Sequence, residues 1–439
     1  MLNAEKFQFF LSVKKLIVVL FLVMLLSTTS HSQSGWIEQP IGYPVYSNIN
    51  SIYFFDSQTG FIVGGNGVFA RTTNGGTNWI KIPTNINNHY SSISFINDNT
   101  GWVSGGFYNS IFTYELIKKT TNKGITWDSL YFEATDRLKD IQFIDNNTGY
   151  VAGKYLKKTT NGGLNWFVID DYFSAFQNSN LHFINGMTGW ANKIYFEPPT
   201  NLYISKLIKT TNGGQNWITQ ISDSSYFNNT IRDIKFLNEN TGYLSFVHFG
   251  IKKTTNGGQN WESKYDPIHC YKIFFLNDSV GWVGSESGIL KTTNSGKNWA
   301  IVSVAQNCSF DAAYFVNEIT GWAMGTSSNY FPKLFKTTNG GVGIININSE
   351  IPSSYSLLQN YPNPFNPTTN IKFQIAKSGN VKLIVFDILG KEVATLINES
   401  LQPGTYETTF DASNIASGIY FYKLITDGFS ETKRMIAIK

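Results

Sequence analysis

Thr72-Thr73-Asn74-Gly75-Gly76-Thr77-Asn78-Trp79 is the first copy of an eight-residue box that recurs through most of the chain. It returns as TTNKGITW at 120–127, TTNGGLNW at 159–166, TTNGGQNW at 210–217 and 254–261, and TTNSGKNW at 292–299. A seventh copy, TTNGG at 337–341, stops short of its Trp. Upstream of each box a polar turn precedes a Gly and an aromatic: Gly60-Phe61, Gly101-Trp102, Gly149-Tyr150, Gly189-Trp190, Gly242-Tyr243, Gly281-Trp282 and Gly321-Trp322. Seven alternations at a period of roughly 40–50 residues mean seven copies of one unit.

The first unit reads as four short strands, 51–55, 60–65, 68–73 and 78–83, each β-branched or aromatic and each bounded by turn residues. Four antiparallel strands at this period make a propeller blade. Asn and Gly at the centre of the box accept left-handed backbone angles, so the box turns the hairpin between the third and fourth strands. Its Trp is large enough to fill the wedge between blades, which makes the box scaffold rather than site. The seventh box lacks a fourth strand, while Ser34-Gly35-Trp36-Ile37-Glu38 repeats the Trp-Ile step that ends the first box. The N-terminal strand is therefore expected to complete the last blade and leave no free sheet edge.

Composition agrees with an all-β chain. The 439 residues are 42% hydrophobic, 15% aromatic and 15% charged, with 38 Gly, and the net charge of +4 is spread along the sequence. Disorder is excluded, and no basic stripe exists to attract nucleic acid. Lys14 and Lys15 precede the apolar run 16–26 and a small, polar stretch, the pattern of a secretory signal peptide over 1–32. Eleven apolar residues are too few to span a bilayer, so no membrane-spanning segment is expected after cleavage.

The box is similar to the BNR or Asp-box repeat, with Asn where that family usually has Asp. The whole unit over 36–342 resembles propellers of the photosystem II stability and assembly factor type. That resemblance implies the fold; the same repeats serve sialidases, endoglucanases and sortilin-like receptors, so it implies no single activity.

The repeat ends near Gly343, and 343–356 reads as a polar linker. Tyr361-Pro362-Asn363-Pro364-Phe365-Asn366-Pro367 follows, its prolines predicting an extended backbone. Strand signals at 370–375, 381–386, 392–398, 405–410, 418–426 and 430–438 then predict a small Ig-like β-sandwich over 357–439. With Gly390-Lys391-Glu392-Val393, Leu401-Gln402-Pro403-Gly404, Gly418-Ile419-Tyr420 and a basic end, this segment resembles the C-terminal sorting domain of the type IX secretion system. The resemblance implies export through the periplasm to the cell surface or medium, with the type IX machinery as partner.

Chemistry is sparse. His31, His89, His182, His248 and His269 show no metal-ligand spacing, so neither a metal nor another cofactor is expected. His182, in Leu-His-Phe-Ile, reads as a packed core residue. The propeller has only Arg71, Arg137 and Arg232, too few for the carboxylate clamp of a sialidase. A glycosidase needs only two carboxylates, and Asp136, Asp170, Asp171, Asp223 and Asp311 are candidates in loops.

One face of the propeller carries the near-constant turns; the other carries segments of varying length, at 107–116, 193–206 and 326–333 and in the connections between blades. Variation confined to one face marks a binding surface. Its aromatic pairs, Phe107-Tyr108, Tyr131-Phe132, Tyr172-Phe173, Tyr195-Phe196, Tyr226-Phe227 and Tyr330-Phe331, suit sugar rings or an extended peptide if exposed, and otherwise pack against strand ends. Cys270 and Cys308 enter neighbouring inner strands at similar depth; they either form a disulfide or remain free buried thiols. The sequence thus reads as an exported, non-catalytic β-propeller that binds a glycan or protein ligand. A secreted glycoside hydrolase with loop carboxylates on the aromatic face is the alternative.

Overall fold

In the computed structural model, residues 35–438 are described except 43–47, 86, 109–112, 134–136, 172–179, 198–201, 224–229, 266–268, 304–307, 328, 330, 339, 342–344, 349–350 and 413–414. The segment 1–32, expected to be a signal peptide, lies outside them. Among the described residues there is no helix, and so none long and apolar enough to cross a membrane.

Between residues 37 and 337 the chain forms seven four-stranded antiparallel sheets, here called blades 1 to 7. Their first strands are Ile49–Phe54, Asn88–Phe95, Asp140–Phe143, Leu181–Phe183, Ile231–Phe236, Cys270–Phe275 and Cys308–Phe315. Each first strand packs against the first strand of the next blade, and the one in blade 7 returns to that of blade 1. The chain is an all-β propeller, as its repeat predicts.

The box folds through its own side chains. Thr72 Oγ1 donates to Asn74 Oδ1 at 3.1 Å and accepts the Gly76 N–H at 2.9 Å, while Asn74 Oδ1 accepts the Asn78 N–H at 2.9 Å. These bonds satisfy turn amides that the strands cannot reach. Gly75 and Gly76 take φ of 68° and 91°, where a side chain is disfavoured. Lys123 and Ser295 tolerate φ of 58° at the first of these positions.

Aromatic stacking joins the blades. The ring of five of the seven Gly-aromatic steps lies flat on the last Phe of the next blade's first strand, as Trp102 on Phe143 at 3.6 Å, Trp190 on Phe236 at 3.5 Å and Trp322 on Phe54 at 3.4 Å, while Phe61 and Tyr243 are tilted by 25° and 26° to theirs. That Phe meets its own blade's box Trp edge-on, as Phe143 meets Trp166 at 5.9 Å. The edge-to-face contacts each add about 0.5–1.5 kcal/mol beyond area burial. A Lys before the box completes the joint: Lys209 sits 4.8 Å over the Trp190 ring and donates to Gly257 O of the next blade at 3.2 Å.

Blade 7 has no box Trp of its own. Ile37–Gln39 pairs antiparallel with Pro332–Thr337, placing Ile37 opposite Lys336 and Gln39 opposite Leu334. Trp36 is buried and meets Phe315 edge-on at 5.7 Å, the arrangement a box Trp makes elsewhere. The first described residues therefore fill the gap left by the last box.

The C-terminal region forms two further four-stranded sheets around one core, which includes Ile371, Phe373, Leu383, Val385, Tyr406, Tyr422, Leu424 and Met435. Gly379–Phe386 alternates outward and inward positions, the pattern of a sheet packed on one face. Two strands arise where the sequence suggests a linker or its edge. Ile345–Asn348 pairs with Gly404–Asp411, and Ser356–Leu357 with Thr368–Ile375. The Pro motif is bent rather than extended, its ladder pairing limited to isolated bridges, Tyr361 with Asn370 and Phe365 with Ala437. It is stapled to the last strand: the Phe365 N–H donates to Ile436 O at 3.0 Å, Phe365 O accepts the Ile438 N–H at 2.9 Å, and Asn363 Oδ1 accepts the Ile436 N–H at 2.9 Å. Phe365 is buried in the core while Tyr361 is 81% exposed. Pro362, Asn363, Pro364, Asn366 and Pro367 are exposed as well.

Candidate binding face and axial channel

The variable segments are largely long hairpins, which corrects the loop reading. Phe107 and Tyr108 continue the strand Gly101–Tyr108, opposite Tyr114 and Thr113. Tyr131 and Phe132 lie in Asp128–Glu133, and Tyr195 and Phe196 in Gly189–Glu197, all paired. Aromatic and β-branched residues added to a hairpin lengthen its strands rather than its turn. Phe331 lies at a hairpin end and is 57% exposed. Tyr172, Phe173, Tyr226, Phe227 and Tyr330 fall outside the described residues.

Phe107 is the candidate placed in a groove. Its half-buried ring lies 5.9 Å from Tyr114 and lines a cavity of about 600 Å³ with Pro83, Thr84, Asn85, Asn88 and Lys118, where the blade 1 to 2 connection meets blade 2. An aromatic wall, two carboxamides and one cation make an amphipathic concavity, with all but Asn85 among them on paired strands. Burial lowers the pKa of Lys118.

The candidate carboxylates whose side chains are described, Asp170, Asp171 and Asp311, lie in separate surroundings. Asp170 is gripped by Lys193 of the next blade, with Nζ at 2.9 and 2.7 Å from its two oxygens. Asp311 sits in the first strand of blade 7 rather than in a loop and accepts a bond from Thr326 Oγ1 at 3.0 Å. Asp223 ends a paired strand, Asp171 is exposed, and Asp136 is outside the described residues. A further ion cluster joins blades 2 and 3: Lys157, 1% exposed, reaches Glu115 at 2.8 Å and Glu133 at 2.5 Å, relieving the repulsion of two acids directly opposed across strands. Cys270 and Cys308 are both buried thiols, packed in different hydrophobic clusters, so the disulfide alternative is not realised.

Sequence reading missed the axis. Each blade's first strand presents an unpaired edge towards the centre, and polar side chains of the preceding blade cover it. Gln142 Nε2 donates to Phe183 O at 2.8 Å and its Oε1 accepts the Phe183 N–H at 2.7 Å. His182 Nε2 lies 2.8 Å from Phe236 O, Ser94 Oγ accepts the Phe143 N–H at 3.3 Å, and Asn50 Nδ2 donates to Tyr90 O at 2.7 Å. Asp140 accepts bonds from Ser92 Oγ and the Leu181 N–H, and Asp233 from the Ile273 N–H at 2.7 Å. The signal was present: the position before the last Phe of the strand reads Ser94, Gln142, His182 and Lys235 in successive copies.

Charge therefore accumulates in the channel. Asp140, Asp233, Lys235 and Lys272 keep partial exposure to it, yet protein surrounds them. Desolvation raises the pKa of Asp140 and pushes Asp233 up to about 6, Lys272 opposing both shifts. Burial also lowers Lys235, and it drives His182 down to about 3 with the Lys235 charge beside it. His182 is thus a neutral structural residue, as its apolar context suggests. A carboxyl whose folded pKa lies above its unfolded value costs stability where it is ionised, at pH above the folded value. Asp233→Asn is expected to raise Tm at pH 8, the gain shrinking as pH falls through 6 towards 4. Equal gains at both ends of that range would contradict the buried-charge account.

Residues 29–132 match the family described as "Photosynthesis system II assembly factor YCF48", and residues 359–439 match "Secretion system C-terminal sorting domain". Similar solved structures include YCF48 bound to D1 peptide, at 15% identity over 69% of this chain and 96% of that one, with a TM-score of 0.48. YCF48 from Cyanidioschyzon merolae is 16% identical over 69% of this chain and 98% of that one, with a TM-score of 0.47. An ancestral GH74 enzyme is 16% identical over 90% of this chain and 57% of its own, with a TM-score of 0.48. No curated protein matches the chain. The sorting domain addresses the protein through the periplasm to the cell surface or the medium, and implies the type IX machinery as a partner.

Proposed function

We propose that this chain, a YCF48-like β-propeller followed by a type IX sorting domain, is a non-catalytic binding module that holds a glycan or an extended peptide outside the cell. The groove at Phe107 carries the reading. It offers a ring face for stacking, the Asn85 and Asn88 amides for hydroxyl or peptide groups, and the Lys118 ammonium, with Asn88, Phe107 and Lys118 fixed by strand pairing. The hydrolase alternative needs two carboxyls free to handle protons, and the best-placed candidate, Asp170, is committed to Lys193.

The test is the mature protein on arrays of glycans and envelope peptides, scored for both retention and cleavage. Retention without product is expected, and Phe107→Ala should weaken it roughly tenfold, or about 1.4 kcal/mol. Cleaved product from the wild-type protein would overturn the reading in favour of a hydrolase.

A further inference from the structure

Two histidines 21 positions apart in sequence meet on the face that carries the long hairpins. His248 is exposed on the turn between Gly242–Phe246 and Ile251–Thr254 of blade 5, and His269 immediately precedes the first strand of blade 6. His269 Nε2 and His248 Nδ1 are 2.9 Å apart, with the rings close to perpendicular and their centroids 4.4 Å apart. Behind His269, on the turn after Gly281–Ser285, Glu286 places Oε2 3.4 Å from Nδ1. The pair is held in place by backbone: the Glu286 N–H donates to His269 O at 3.2 Å, and the His269 N–H reaches Glu286 Oε1 at 3.4 Å.

From this arrangement we infer a divalent transition-metal site, of the kind that takes Zn²⁺ or Ni²⁺, bridging blades 5 and 6 through His248 Nδ1 and His269 Nε2. Two imidazole nitrogens at bonding distance from one tetrahedral ion stand about 3.3 Å apart. The observed gap therefore opens by only about 0.4 Å, on the side of an exposed turn that can yield. Glu286 supplies the outer carboxylate that such sites use: 3.4 Å from His269 Nδ1, its negative charge favours the proton on that nitrogen and so leaves the Nε2 lone pair directed into the gap. His248 joins in the tautomer that carries its proton on Nε2, so binding requires a tautomer change and no net loss of a proton. Two imidazoles suit borderline ions better than Ca²⁺ or Mg²⁺, which prefer oxygen. Water completes the shell, since no group of three or more His, Cys, Asp or Glu converges among the described residues. The site is thus open to a ligand on the same face as the Phe107 groove, and it is independent of that groove's function.

The experiment uses the mature chain without a polyhistidine tag, stripped with EDTA and titrated calorimetrically with ZnCl₂ and then NiCl₂ in a non-chelating buffer. One saturable equivalent is expected, abolished in His248→Ala. Glu286→Gln should weaken it roughly 10–100-fold. His248 lies on an exposed turn, so its variant should keep the wild-type melting curve without metal and report on the site alone. No saturable equivalent in the wild type, or an unchanged isotherm in His248→Ala, overturns the site; unchanged affinity in Glu286→Gln overturns the role given to the carboxylate.

Discussion

Trp36→Ala is expected to destabilise the propeller by about 3–5 kcal/mol, the range for truncating a buried aromatic in a core. Trp36 is 6% exposed, meets Phe315 edge-on and is shared with Phe310, Ala313 and Phe335 in the cluster that joins blades 6 and 7. Starting the chain after Pro40 removes the whole strand, including the Lys333–Glu38 ion pair at 2.8 Å, and leaves the edge of Pro332–Thr337 bare. That truncation should cost more than the single substitution and should promote edge-to-edge association. Thermal melting of both variants beside Phe331→Ala, a change at an exposed aromatic, decides the matter. A truncated protein that melts with the wild type would refute the clasp.

Removing residues 343–439 should leave a folded propeller that accumulates in the periplasm and is lost from the surface and medium. The buried cluster of the C-terminal sheets draws only on residues from Leu357 to Ala437, whereas the blade clusters draw on residues before Phe335 and that residue itself. Two regions that bury separate cores should fold separately. The cut is placed before Ile345 because the strand Ile345–Asn348 belongs to the C-terminal sheets. Cell fractionation with a propeller-specific antibody reads the outcome. Truncated protein in the medium or on the surface at wild-type level would show that the address lies elsewhere.

The propeller was legible because its information is local. Thr72, Asn74 and Gly76 close the turn with one another, and the same residue types do so in the next five copies. The Trp36 clasp was legible by subtraction, a missing Trp at one end and a spare one at the other. Long hairpins escaped notice because length variation says that a segment differs, not whether its residues pair; Phe107 and Tyr195 lie in ladders that only partner strands reveal. His248 and His269 escaped for a related reason. Ligand spacing is sought within one segment, and here the two rings come from different blades. Asp140 and Asp233 looked like ordinary strand residues, because their task of covering the next blade's edge exists only once the ring closes.

The clasp also sets an order of events. Ile37 pairs with Lys336, so the strand that completes the last blade finds its partner about 300 residues later in the chain. Until those residues arrive, Trp36 has no Phe315 to meet. Six blades can assemble by neighbour contacts alone, but the seventh needs both ends of the propeller region at once. Closure is thus timed by delivery of the chain, and an exported propeller remains an open arc, with its last edge available to any other strand, until nearly all of it has crossed the inner membrane.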